Sequence, residues 1–198
     1  MLDEKWVAHW QSILETLYIV DREIFDERSR PADSHLNLLE GRLGLPLPAS
    51  YSGFIKALGP GEFARYLTIL SPGYHGSTVV DFIGQNKEFI TNRKKRIEIQ
   101  EDKYVWFGYC IHGPMIAWDI TSMTDHADSE YRIHCRVDAE QFLTIADSFH
   151  DFIHQCLSGG FAISLGMTLP ETWEDEETSL NHPRRCFDPR VGSPRSPV

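Results

Sequence analysis

The segment that most constrains the fold of this chain is residues 38–61, whose pattern predicts two short helices separated by a proline-containing break. Gly44 suits the end of the first helix because glycine tolerates the left-handed backbone conformation found there, and Pro46 prevents this helix from continuing. Pro48 suits the first turn of the second helix, where a missing N–H group is tolerated. The apolar residues that then recur at helical spacing are Tyr51, Phe54, Ile55 and Leu58. The segment therefore predicts a kinked pair of helices with one apolar face.

The rest of the chain predicts strands between terminal helices. Apolar spacing predicts an amphipathic helix over residues 3–28, and an aromatic stripe predicts a closing helix over residues 141–157. Another helix is predicted to begin at Asp81 or Asn86 and to end near Ile99. Alternation and turn signals predict strands over residues 63–70, 104–111, 115–120 and 131–137. Together these elements predict an α+β fold, with an antiparallel-rich sheet flanked by N-terminal helices and a closing C-terminal helix.

Three regions are expected along the chain. Residues 1–30 form the N-terminal amphipathic helix packed on the domain, residues 31–160 form the domain, and residues 161–198 form an extension or tail. Residues 171–198 join an acidic run to a segment rich in proline and arginine, which predicts little core structure. A solvated tail is the simpler interpretation of this composition, and a partner-binding arm is the alternative.

The composition is that of a folded globular protein. Of the 198 residues, 41% are hydrophobic and 12% are aromatic, which is far from a disordered composition. No apolar run approaches the roughly 20 residues that span a bilayer, and the acidic N-terminus differs from a signal peptide. The four cysteines show no C-x-x-C spacing and are expected to be reduced thiols. We therefore expect a cytoplasmic protein without membrane contact.

The formal net charge of −10 bears on the partners of the protein. It disfavours direct nucleic-acid binding, because phosphates would be repelled over most of the surface. It would favour association with a basic partner, or it serves solubility alone. Both interpretations of the charge remain open from the sequence.

His150 and His154 form the sharpest chemical pattern in the chain. Two histidines spaced i, i+4 on a helix point the same way and could bind zinc, as in H-E-x-x-H proteases. Asp151 takes the place of the glutamate, and its shorter side chain would hold the carboxylate away from a metal-bound water. The candidates for a third ligand are His112, His126 and His134. A metal-dependent hydrolase is therefore the third functional hypothesis, but no metal is predicted, because the aromatic stripe of this helix leaves the pair at its solvent edge.

Cys110 and His112 form a weaker pattern for catalysis. Two residues apart on a strand, they share a face and could act as nucleophile and base. No third orienting group is evident, and alternation along an aromatic strand makes Cys110 an ordinary packed residue. The sequence also lacks the G-x-S-x-G, phosphate-loop and G-x-G-x-x-G motifs. No catalytic residue and no cofactor are predicted, and the protein is not expected to be an enzyme.

Acidic and aromatic residues near the predicted sheet ends suggest a contact surface for a protein partner. Carboxylates around aromatic anchors would suit binding to a basic protein. The alternative is that these are turn residues chosen for local hydrogen bonding. The candidates are Glu62, Tyr74, Asp81, Trp118, Asp119, Asp125, Asp128 and Glu130.

Three segments resemble the SUKH superfamily, the Smi/Knr-like proteins. The residues 105–119 resemble its central hairpin, ending in Trp118-Asp119, and residues 146–157 resemble its closing helix. The first of the three segments carries the resemblance through Glu40, Leu43-Gly44, Leu47-Pro48, Tyr51, Phe54-Ile55 and Gly59 to Gly61. The three segments occur in the order found in the family.

The resemblance implies a SUKH-like α+β fold and a function in protein binding. Most bacterial members resemble immunity proteins, which neutralise a cognate toxin, often a nuclease, by stoichiometric binding without turnover or a cofactor. The alternative is a regulatory or scaffold module of the Smi/Knr type. Interaction surfaces vary within the family, so the resemblance transfers no binding residue to this chain.

Overall fold

Helices and one sheet make up the part of the chain that the structure describes. The structure is a computed structural model that describes residues 2–27, 30–63, 66–71, 103–110, 114–137, 141–165 and 186–189. Its helices are α1 (Leu2–Leu14), α2 (Arg22–Glu27), α3 (Asp33–Leu43), α4 (Ala49–Ala57), α5 (Phe149–Ser158) and α6 (Gly160–Ser164). Its strands are β1 (Tyr18–Ile19), β2 (Gly61–Phe63), β3 (Leu67–Ile69), β4 (Tyr104–Cys110), β5 (Met115–Asp125), β6 (Glu130–Arg136), β7 (Phe142–Ala146) and β8 (Cys186–Asp188). The predicted α+β class is confirmed.

The eight strands form one mixed sheet in the order β1-β8-β2-β3-β4-β5-β6-β7. β1 and β8 pair in parallel, and every other neighbouring pair is antiparallel. The long central strands β4, β5 and β6 follow one another in the chain, as expected for a meander joined by short connections. They form the platform on which the helices pack.

The main core lies between the sheet and helices α1, α4 and α5. Its centre is an aromatic cluster in which the rings of Phe107 and Trp118 lie 4.6 Å apart, centroid to centroid. Tyr51 of α4 lies 4.8 Å from Trp118 and 5.3 Å from Phe149 of α5. Edge-to-face and stacked pairs at these distances add to the stabilisation that burial provides. The three segments that carry the family resemblance therefore meet in one aromatic cluster.

A second, smaller apolar cluster lies on the opposite face of the sheet. Tyr104 and Trp106 alternate with the core residues of β4 and are both buried, as the period of two in a strand requires. The ring of Phe142 stacks on Tyr104 with a centroid distance of 4.9 Å. The centre of the sheet is therefore apolar on both faces.

The single N-terminal helix predicted for residues 3–28 is wrong. Helix α1 ends at Leu14, β1 follows as an edge strand, and α2 begins at Arg22. The second helix starts there because the Asp21 carboxylate accepts a hydrogen bond from the Ile24 N–H at 3.0 Å, which caps the first turn. The apolar residues Tyr18 and Ile19, between the two helices, form strand β1 of the sheet.

The predicted closing helix of residues 141–157 is also too long. Residues 142–146 are strand β7, paired with β6, and α5 begins at Phe149. The hydroxyl of Ser148 accepts a hydrogen bond from the Asp151 N–H at 3.0 Å, so a capped N-terminus separates the strand from the helix. The buried face of the helix includes Phe149 and Phe152, as predicted.

The strands differ from the predictions in three further places. Residues 63–70 contribute to two strands, β2 and β3, and β5 extends to Asp125, beyond its predicted end at residue 120. Residues 186–188 of the predicted tail form β8 in the sheet, and α6 buries Phe161 within the predicted extension. The helix predicted to begin at Asp81 or Asn86 lies outside the described residues.

The close packing of α1 on α4 depends on Gly53. A Cβ atom at this position would lie 2.5 Å from the Cβ and 2.8 Å from the backbone carbon of Trp6. Gly53→Ala is therefore expected to lower the free energy of unfolding by about 1–2 kcal/mol, because the cost of overpacking exceeds the gain in helix propensity. Urea denaturation followed by tryptophan fluorescence measures the change.

Gly41 provides the matched control for this substitution. It lies in α3, and a Cβ there would have no atom within 4 Å. Gly41→Ala should raise the free energy of unfolding by up to about 1 kcal/mol. Equal effects of the two substitutions would contradict the close approach of α1 to α4.

Candidate functional site

Four of the candidate partner-binding residues are buried. Trp118 is 0% exposed, Glu130 3%, and Asp119 and Asp128 are each 6% exposed. Trp118 belongs to the central aromatic cluster, and the three acids bond to groups inside the fold. The expectation that these four side chains lie on a contact surface is therefore wrong.

Glu130 joins the start of two helices to the sheet. One carboxylate oxygen accepts a hydrogen bond from the Ser50 N–H of α4 at 3.0 Å, and the other accepts from the Phe149 N–H of α5 at 3.1 Å. Both N–H groups belong to first turns, which have no partner within their own helix. Burial raises the pKa of Glu130, and the bonds from Ser50 and Phe149 oppose that rise. Glu130 has a structural role.

Asp128 ties the turn between β5 and β6 to helices α1 and α4. Its carboxylate accepts hydrogen bonds from Lys5 Nζ at 2.8 Å and from Trp6 Nε1 at 3.1 Å. Its backbone oxygen accepts from the Ala49 N–H at 2.8 Å. Asp128 and Glu130 together hold α1, α4 and α5 against one end of the sheet.

The carboxylate of Asp119 lies beside the second apolar cluster, in contact with several polar side chains. Its carboxylate accepts hydrogen bonds from the N–H and hydroxyl of Thr121 at 3.0 and 2.6 Å. Lys103 Nζ and His134 Nε2 each lie 3.7 Å from the other oxygen. Burial lowers the pKa of His134, while Asp119 opposes this shift. Like Glu130 and Asp128, the buried carboxylate of Asp119 therefore has its hydrogen-bonding partners within the protein.

The remaining candidates are less tightly held, or lie outside the described residues. Asp125 is exposed and accepts a hydrogen bond from the Ala127 N–H at 2.7 Å, as expected for a turn residue. Glu62 is half-buried in β2. Tyr74 and Asp81 lie outside the described residues. Partner contact by any of these four remains a prediction.

A small groove lies between α3, α4 and the turn that follows β5. Its volume is about 230 Å³, and its lining includes Asp33, Glu40 and Asp128. Each of these carboxylates already has a partner within the protein: Asp33 pairs with Lys56 at 2.7 Å, and Glu40 accepts from the Leu47 N–H at 2.8 Å. The groove is smaller than most small-molecule sites, which measure about 300–1,000 Å³.

The thiol proposed as a nucleophile has the wrong environment for that role. Cys110 is 2% exposed, and burial raises the pKa of its thiol well above the ordinary value. A catalytic cysteine needs the thiolate, which polar and cationic surroundings favour. His112 lies outside the described residues. Cys110 therefore packs in the core, as its place in an aromatic strand predicts.

Three histidines, one from α1 and two from α5, lie close together. A ring nitrogen from each of His9, His150 and His154 lies within 4.8 Å of the others. The ring centroids of His150 and His154 are 4.4 Å apart, and those of His9 and His150 are 4.9 Å apart. His154 is exposed, and the other two are half-buried. We call this group the histidine cluster.

The ring nitrogens of the histidine cluster differ in their hydrogen bonds and in their surroundings. Nδ1 of His150 lies 3.2 Å from a carboxylate oxygen of Asp151. Nε2 of His9 is buried without a hydrogen-bond partner among the described residues. Burial lowers the pKa of His9, and repulsion by His150 and His154 lowers it further. Both effects favour the neutral imidazole of His9 over its protonated form.

His9 is the member of this cluster that the sequence-based hypothesis missed. The expected third partners were His112, which lies outside the described residues, His126, which is in an exposed turn, and His134, which lies beside Asp119. The usable signal was the position of His9 three residues after Trp6, which places it beside the apolar stripe of α1. The apolar stripe of α1 predicts that this face of the helix is buried, but it does not predict that α5 packs near it.

Comparison with models of known protein families and with curated proteins finds no match to this chain. Among the described residues, no helix is long and apolar enough to cross a membrane. The structure itself establishes the α+β fold class.

Proposed function

We propose that this protein is a non-enzymatic protein-binding domain of the SUKH type, which neutralises a cognate toxin by stoichiometric binding. The observation that supports this most is the aromatic cluster of Tyr51, Phe107, Trp118 and Phe149. Aromatic residues from all three segments that carry the resemblance contact one another in this cluster. The residue types that the three segments share with the family therefore pack the core. A function based on this fold is therefore expected to depend on its surface.

The charge of the chain supports a basic partner. A net charge of −10 creates a field that attracts a positively charged protein, such as a nuclease domain, and repels nucleic acid. Binding would cover the active site of the toxin and would need no cofactor. We place this interaction in the cytoplasm, where a reduced thiol such as Cys110 is stable.

Affinity capture tests the proposal directly. The tagged protein is incubated with lysate of the cells that encode it, washed at low and high salt, and its partners are identified by mass spectrometry. One basic partner in a one-to-one complex, whose enzymatic activity falls to zero at one equivalent of this protein, is the expected result. Several weakly bound regulatory proteins would instead support a scaffold, and failure to bind any toxin encoded beside its gene would contradict the proposal.

The association rate should depend strongly on salt. Raising the ionic strength from about 0.05 M to about 0.5 M should slow association by about tenfold or more, because salt screens the attraction between the two proteins. Dissociation should change much less. Surface plasmon resonance with the captured partner measures both rates.

Asp125 allows a test of one candidate contact. Among the candidate acids that the structure describes, it is the exposed one, and Glu15 is also exposed. Asp125→Lys and Glu15→Lys change the net charge equally, so a larger loss of association rate for Asp125→Lys would place the contact near the turn after β5. Thermal melting of both variants verifies that each remains folded.

A further inference from the structure

The histidine cluster has no role in the proposed function, and it has the properties of a metal site. Its three imidazoles come from α1 and α5, far apart in the sequence. His150 and His154 are one helical turn apart, so their rings lie one above the other on the same face of α5. His9 faces them from α1, and one ring nitrogen of each residue lies within 4.8 Å of the other two.

His9 and His150 each have a ring nitrogen available for a metal. A neutral imidazole that donates from Nδ1 to a carboxylate has its lone pair on Nε2. Asp151 provides that carboxylate for His150 at 3.2 Å, and this pairing of carboxylate and histidine is common behind metal ligands. Nε2 of His9, buried without a partner among the described residues, would gain one in a bound metal.

The surroundings position the rings and reduce competing charge. The ring of Trp6 lies 5.1 Å from that of His150, and the ring of Trp10 lies 5.0 Å from that of His9. The nearby cation Lys5 is bound to Asp128 at 2.8 Å, so its charge is balanced. The tryptophan rings form an apolar wall behind the cluster and leave the side of His154 open to solvent.

We propose that His9, His150 and His154 bind one divalent transition metal of the zinc class, which links α1 to α5. Imidazole nitrogen suits zinc, cobalt, nickel and copper, whereas magnesium and calcium require oxygen ligands. Zinc–nitrogen bonds of about 2.0–2.1 Å would draw the three ligand atoms together from the separations of up to 4.8 Å that they have in the structure. Rotation of the exposed His154 ring supplies part of this movement, and water takes the fourth position.

Metal titration of the untagged full-length chain tests this site. The protein is treated with a chelator, dialysed and titrated with zinc chloride in a calorimeter, with magnesium chloride as the comparison. We expect one zinc ion per chain with a Kd of about 1 μM or tighter, no response to magnesium, and a rise in melting temperature, because the metal binds only the folded chain. Cobalt should give the visible absorption bands of a tetrahedral site.

Single substitutions connect the binding to these residues. His154→Gln and His9→Gln should each weaken zinc binding by at least about tenfold. His126→Gln, in an exposed turn, should leave the affinity unchanged. Because His154 is exposed, its substitution also leaves the fold intact, and circular dichroism verifies this.

Two results would overturn the metal site. One is the absence of zinc binding by the wild-type chain at saturating metal. The other is wild-type affinity in both His9→Gln and His154→Gln, which would show that zinc binds elsewhere. Neither result bears on toxin binding, because the affinity capture described above uses no added metal.

Discussion

Replacing Phe187 by alanine is expected to lower the free energy of unfolding by about 3–5 kcal/mol, the usual cost of removing a buried phenylalanine. Phe187 is 0% exposed in β8, and its ring centroid lies 6.1 Å from that of Phe25 and 6.4 Å from those of Phe54 and Phe63. Truncation leaves a cavity among these rings. Urea denaturation followed by far-ultraviolet circular dichroism measures the loss.

Ile163→Ala is the control for Phe187→Ala. It also lies in the region predicted to be an extension, but its side chain is 70% exposed. An exposed substitution of this kind should change the free energy of unfolding by less than about 0.5 kcal/mol. If Phe187→Ala were equally mild, β8 would not be part of the core.

Local chemistry was sufficient to predict the pair of helices α3 and α4 in the first third of the sequence. Helix α3 ends at Leu43, and Gly44 adopts a φ of 72°, as its glycine predicts. Helix α4 begins directly after Pro48. These signals act within a few residues of one another, so they do not depend on how the rest of the chain folds.

Strand β8 could not be predicted, because three residues carry no periodic signal. Cys186–Asp188 lie in a segment rich in proline and arginine, and their partners β1 and β2 are far away in the sequence. The start of α5 could have been predicted: Ser148 and Asp151 have the spacing of a capping pair. The apolar residues of β7 hid this signal because they continue the aromatic stripe of the helix.

Contacts between residues far apart in the sequence also limited the prediction of the candidate site. The sequence identifies the carboxylates near the sheet ends but not the direction in which each points. Glu130 faces inward because the N–H groups of Ser50 and Phe149 converge on it, and only the folded chain brings these groups together. His9 likewise joins His150 through the packing of two helices.

Glu130→Ala is expected to lower the free energy of unfolding by about 3–5 kcal/mol. The substitution leaves the buried N–H groups of Ser50 and Phe149 without their acceptor, and each buried donor left unsatisfied costs about 1–3 kcal/mol. The starts of α4 and α5 lose their connection to β6 at the same time. Urea denaturation measures the change, and Glu15→Ala at an exposed position of the chain should be nearly neutral.

The free energy of unfolding of Glu130→Gln, measured against pH, tests whether Glu130 stabilises the fold as a hydrogen-bond acceptor or through its negative charge. The amide keeps one acceptor oxygen, so its cost should be smaller than that of alanine. Because burial raises the pKa of Glu130 above its ordinary value of 4.5, the stabilisation linked to its proton is complete below about pH 4.5 and is lost as the pH rises through the raised pKa. The advantage of the wild type over Glu130→Gln should therefore shrink from about pH 4 to pH 7. An advantage that grows over this range would mean that Glu130 binds its two helices mainly through its negative charge.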